Sequence, residues 1–86
     1  MTGKTTIVEL LISKGADINA QGGYYGNALQ AASYGGHTEA VKLLISKGAN
    51  INAQGGYYKN ALQAASVTGK TTIVELLISK GANINA

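Results

Sequence analysis

The 86-residue chain has no cysteine, no proline and no arginine, and only 13% of its residues are charged. Without cysteine it can form neither a disulfide framework nor a thiolate metal site, and an intracellular, cytoplasmic setting is expected. No run of about 18 apolar residues is present, so a helical membrane span is not expected and the chain should be soluble. The net charge of +3 comes from seven lysines alone. Nucleic-acid readers lean on the planar guanidinium for paired contacts, so nucleic acid is not an expected partner. Four carboxylates, Glu9, Asp17, Glu39 and Glu75, are scattered without the converging pair that glycoside or phosphoryl chemistry requires. His37 is the only histidine. No catalytic residue, metal ligand set or cofactor site is expected, and the chain does not read as an enzyme.

What is present is repetition. Residues 21–53 and 54–86 match at 26 of 33 positions, and residues 2–20 match 68–86 at all but one, Asp17 against Asn83. Gly3, Gly36 and Gly69 keep the same spacing, as do Leu10, Leu43 and Leu76. A period of this length marks one supersecondary unit copied and stacked, each copy burying its apolar face against its neighbours. The expected architecture is an all-α repeat solenoid forming a single domain, 1–86. It divides into the second half of a repeat (1–20) and two full repeats (21–53 and 54–86).

Within each unit the pattern predicts a long helix, a loop and a short helix. Thr5 to Lys14 reads TTIVELLISK, with Ile7, Val8, Leu10, Leu11 and Ile12 on a helical stripe. Thr5 and Thr6 are N-cap candidates, and Thr6 to Glu9, repeated as Thr72 to Glu75, has capping-box spacing. Gly15, Gly48 and Gly81 read as left-handed C-caps, and Lys14, Lys47 and Lys80 suit the negative end of the helix dipole. A protruding hairpin follows, with positive φ expected at Gly22-Gly23 and Gly55-Gly56. Ile18, Ile51 and Ile84 are expected to anchor each hairpin base in the core. Short helices then start at Asn27 and Asn60 as N-caps, and their alanines let neighbouring helices stack closely and curve the array.

Gly3-Lys4-Thr5 and Gly69-Lys70-Thr71 copy the end of a nucleotide-binding P-loop, but position 64 is alanine, as is position 31 in the parallel copy, and a short helix is expected before Gly69 and Gly36, so they read as helix starts. The amides Asn19, Asn52 and Asn85, Asn27 and Asn60, and Gln30 and Gln63 recur in columns that can bond loop backbone in their own or the adjacent repeat. Tyr24, Tyr25, Tyr57 and Tyr58 fall in the hairpins. Neighbours in an extended segment point opposite ways, so one of each pair is expected to pack and the other to face solvent.

Loop, alanine-rich short helix, glycine turn and Leu-Leu helix in a 33-residue frame resemble the ankyrin repeat family along the whole chain. The most specific stretch is Gly36-His37-Thr-Glu-Ala-Val-Lys-Leu-Leu-Ile-Ser-Lys-Gly-Ala-Asn-Ile-Asn-Ala53. Where the family opens its first helix with Thr-Pro-Leu-His, this chain has Asn27-Ala28-Leu29-Gln30 and Asn60-Ala61-Leu62-Gln63, and Tyr25 or Tyr58 stands where a glycine is usual. The Gln-Gly-Gly-Tyr-Tyr variant looks like the near-identical ankyrin arrays of filamentous-fungal NOD-like (NACHT-type) receptors.

The resemblance implies a non-enzymatic module that binds a protein partner through its concave hairpin and short-helix face, as the ligand-sensing part of a larger receptor. The copies differ at Gly26/Lys59, Tyr34/Val67 and Gly35/Thr68, where ankyrin proteins place partner-contacting residues. Together with Tyr24 and Tyr57, these eight form the expected contact surface. The alternative is a structural element that self-associates through uncapped ends.

Overall fold

The computed structural model describes residues 17–84. Expectations for residues 1–16, including the first long helix and its caps, and for Asn85 lie outside the described residues. The described chain is built from four helices: α1 (Ala28–Gly35), α2 (Thr38–Ser46), α3 (Ala61–Val67) and α4 (Thr71–Ser79). They form two antiparallel pairs, α1 with α2 and α3 with α4, and no strand occurs among the described residues. The all-α repeat fold expected from the sequence is the one observed.

Each short helix starts where its asparagine can act. The Asn27 carboxamide oxygen accepts from the Gln30 amide at 2.9 Å, and Asn60 accepts from Gln63 at 2.8 Å. Both asparagines are buried, and each satisfies a donor that the helix itself leaves open. The long helices end at a Schellman turn. Gly48 and Gly81 adopt φ of 99° and 103°, while the next amides, Ala49 and Ala82, reach back to Leu44 and Leu77 at 3.0 and 2.9 Å. Their N-termini depart from expectation. α4 begins at Thr71 with Lys70 as N-cap, α2 has His37 there, and neither cap residue makes a side-chain bond to the helix. The Thr72-to-Glu75 spacing therefore does not form a capping box, because Thr72 already lies inside the first turn.

Packing between the two units runs chiefly through the short helices. Ala61, Ala64 and Ala65 of α3 are at most 1% exposed, and their small side chains let α3 pack closely on its neighbours α1 and α4. Leu29, Val41, Leu44, Ile73 and Leu77 complete the core, with Ile18 and Ile51 packed at its margin. The third isoleucine of that column does not anchor anything: Ile84 is 65% exposed.

A second seam runs along the loops. The Asn19 side chain donates to the Gly48 carbonyl at 3.2 Å and accepts from the Asn50 amide at 2.7 Å. One unit later, Asn52 makes the same pair of bonds with Gly81 and Asn83 at the same distances. The polar column predicted from the spacing is a side-chain-to-backbone ladder that fixes one unit's register on the next.

Candidate functional site

The loops that precede α1 and α3 place the expected contact residues. Each is closed at its base, Gly22 N–H to Gly26 carbonyl at 3.0 Å and Gly55 N–H to Lys59 carbonyl at 2.7 Å. The reversal is a turn rather than a strand hairpin. Of the two glycine pairs, Gly23 and Gly56 take a clear turn conformation, at φ of 71° each, and Gly22 does not. Positive φ recurs three residues later, at Gly26 (80°) and Lys59 (79°). The two loops touch through backbone: the Tyr57 amide donates to the Tyr24 carbonyl at 2.7 Å, and a Cβ on Gly56 would run into the backbone of Tyr24 to Gly26.

This close approach brings all five tyrosines into one ring-on-ring cluster. Tyr24 and Tyr57 stack with centroids 5.1 Å apart and planes 10° apart, and Tyr34 and Tyr58 stack at 5.0 Å and 25°. Edge contacts join Tyr24 to Tyr25 and Tyr58, and Tyr57 to Tyr58, while Tyr25 tilts against Tyr34. The expectation that one member of each pair packs while the other faces water is corrected for the first pair, where Tyr24 and Tyr25 both pack on neighbouring rings and both remain exposed; in the second pair Tyr57 is 67% exposed and Tyr58 half-buried, with both in ring contact. Rings stacked in a row cover one another's faces and leave their edges in solvent. The phenol of Tyr58 is pushed well above its ordinary value of 10.0 by hydrogen bonding to Tyr24, at 3.4 Å between the hydroxyls, then by hydrogen bonding to Tyr34 and by burial.

Beside the rings lies a shallow groove of about 320 Å³ lined by Tyr57, Tyr58, Lys59, Gln63, Ser66 and Val67. Of the residues expected from the sequence, Tyr57, Lys59 and Val67 line this groove, and Tyr24 and Tyr34 belong to the ring cluster next to it. Gly26 sits under the Gln30 carboxamide and Gly35 beside the His37 ring. The Thr68 hydroxyl is turned inward, donating to the Ala64 carbonyl at 3.1 Å as the last turn of α3 closes. Tyr58, Gln63 and Ser66 were not anticipated as groove residues. They do not differ between copies, and difference between copies was the signal that selected Lys59 and Val67, Tyr57 having been chosen as a hairpin tyrosine.

Gln30 explains why the same side chain behaves differently in the two units. Buried to 3% exposure, it closes a capping box by accepting from the Asn27 amide at 2.9 Å. Its Nε2 then crosses to the next loop, donating to the carbonyls of Gly55 at 2.7 Å and Lys59 at 2.9 Å. A Cβ at Gly26 would collide with that carboxamide. In the second unit the Cβ is there, on Lys59, and Gln63 does not return to its cap: the Asn60 amide donates to Tyr58 instead, and Gln63 Oε1 is buried without a partner.

Among the described residues no three His, Asp or Glu side chains come together in a way that could hold a metal ion, and no helix among them is long and apolar enough to cross a membrane. No curated protein matches the chain. The family model described as ankyrin repeats (3 copies) matches residues 1–86. With loop, short helix and long helix stacked in register and the match running from end to end, the chain belongs to the ankyrin repeat family.

Proposed function

We propose that this ankyrin chain binds a protein partner through the tyrosine cluster and the groove beside it, on the concave side formed by the loops and short helices. Ankyrin repeats generally mediate protein–protein interaction, which sets the class of function. The observation that carries the choice of surface is the exposed cluster of five tyrosines in mutual contact. Tyrosine offers large contact area at small rotamer cost, and here each ring is already held by its neighbours. Ordering them on binding therefore costs less than ordering free side chains would. Lys59, Ser66 and the Gln63 carboxamide supply polar contacts at the edge, and Val67, 62% exposed, supplies an apolar one. The two units 21–53 and 54–86, with 1–20 as a half unit, would act as one sensing surface of a larger receptor, as the likeness to fungal arrays suggests.

The test is retention of proteins from the native source on the immobilised chain. Tyr57→Ser and Lys59→Ala should each lower retention of a specific partner tenfold or more, the scale of a hot-spot residue. Glu75→Gln and Lys80→Gln, on the exposed face of the long helix and at its end, should leave it unchanged. The reverse pattern would move the site to the long-helix side.

A further inference from the structure

On the long-helix side the two units leave between them a groove with an apolar floor and a rim of like charge, and we infer that it takes an acidic peptide segment, one apolar side chain seated between carboxylates. The groove lies between α2 and α4 and has a volume of about 290 Å³. Lys42, Ile45 and Ser46 form one wall, and Leu76 and Lys80 form the other. It exists because the units pack chiefly through their short helices, while the long helices touch far less. Ile45 and Leu76 rest on the core yet stay half-buried, and so make the floor. No residue is shared with the tyrosine surface.

The polar groups facing this groove come down to two ammonium ions, because the Ser46 hydroxyl already donates to the Leu43 carbonyl of its own helix at 2.7 Å. Lys42 and Lys80 are both exposed and stand on opposite walls. Lys42 has Glu39 at 3.9 Å, but both side chains lie largely in water, where such a pair contributes little. The sign of the rim is particular to this groove. Lys80 recurs as Lys14 and Lys47, whereas the position of Lys42 is held by Glu9 and Glu75 in the other copies. Glutamate there would set a carboxylate across from Lys80 and neutralise the rim; lysine makes it doubly positive. The volume is at the small end for a ligand pocket, so it suits an apolar side chain rather than a cofactor. Ammonium groups on both walls call for more than one carboxylate, which an acidic peptide carries and a fatty acid does not. Nucleic acid would supply the charge but nothing apolar for Ile45 and Leu76, and the groove offers neither arginine nor an aromatic ring to a base.

The experiment is an amide NMR titration of the full chain with the end-blocked peptide Glu-Glu-Leu-Phe-Glu-Glu at low salt. Saturable shifts should centre on Ile45 and Leu76, weaken as salt is added, and vanish when the peptide's glutamates become glutamine or its Leu-Phe becomes Ala-Ala. Lys42→Glu should weaken binding about tenfold, and the fold should accept it, since Glu75 holds the same place on α4. Lys42→Gln, expected to weaken binding about threefold, replaces it should its helical circular dichroism fall. Lys80→Gln and Lys47→Gln remove the same charge from equivalent helix ends, but only Lys80 lines the groove. The first should weaken binding about threefold and the second should leave it unchanged. No shifts at Ile45 and Leu76, equal losses from the two helix-end variants, or binding kept by the glutamine peptide would each overturn the inference. Saturable binding of decanoate with none of the peptide would give the groove to a lipid carboxylate and overturn it as well. None of these outcomes bears on Tyr57 or Lys59, so the tyrosine surface stands or falls separately.

Discussion

At the scale of single residues, Lys59 is the position where this chain works against itself. It holds φ of 79° with a side chain attached, where its equivalent Gly26 holds 80° without one. The left-handed region costs a residue with a Cβ on the order of 1 kcal/mol, and the same Cβ stands where the Gln63 carboxamide would otherwise close a capping box. Lys59→Gly is therefore expected to stabilise the fold by about 1 kcal/mol, a rise of roughly 4–8 °C in Tm for a chain of this size. Thermal denaturation followed by circular dichroism checks it, and an unchanged or lower Tm would count against the account of Gln63. Because Lys59 is also placed at the proposed binding surface, the stabilised variant should bind its partner less well. Strain retained next to a contact residue is the usual mark of a position kept for something other than stability.

At the scale of elements, the loops are held by tyrosine hydroxyls as well as by backbone. The Tyr58 phenol is raised above its ordinary value, so the folded state favours its protonated form more than the unfolded state does. The resulting stabilisation is complete below the unfolded value near pH 10 and is lost as the pH climbs beyond it. Stability should consequently fall progressively as the pH rises above about 10, and Tyr58→Phe should flatten that fall and remove the latest step of tyrosinate absorbance. The helices were legible in the sequence because their signals are local: asparagine before a short apolar helix, glycine after a long one, and leucines at helical spacing. The tyrosine cluster was not legible, since alternation along one loop says nothing about a second loop lying 33 residues away. Only the backbone contact between Tyr57 and Tyr24 decides that the rings meet. The long-helix starts were misread for a related reason. Thr71 and Thr72 have cap-forming side chains, yet the turn closed by Gly69 places Lys70 at the cap and both threonines within the first turn.

For the whole molecule, burial is unequal between copies of the same sequence. Leu29 lies between two units and is fully buried, while Leu62 has a neighbour on one side only. Leu29→Ala should cost about 2–5 kcal/mol, enough to unfold much of so small a domain, whereas Leu62→Ala should cost less than half as much. Urea denaturation of both variants measures the difference, and equal losses would mean that the α3 face is covered in solution. Periodicity made the architecture plain from the sequence, but it could not reveal this asymmetry, because identical strings carry no record of which neighbour is present. The asparagine ladder has a further consequence. Asn19 and Asn52 present the same carboxamide to the same backbone groups, so excising or inserting one whole unit would rejoin matching donors and acceptors across the cut. A gene made of such near-identical segments can change length by unequal recombination, with every product already in register.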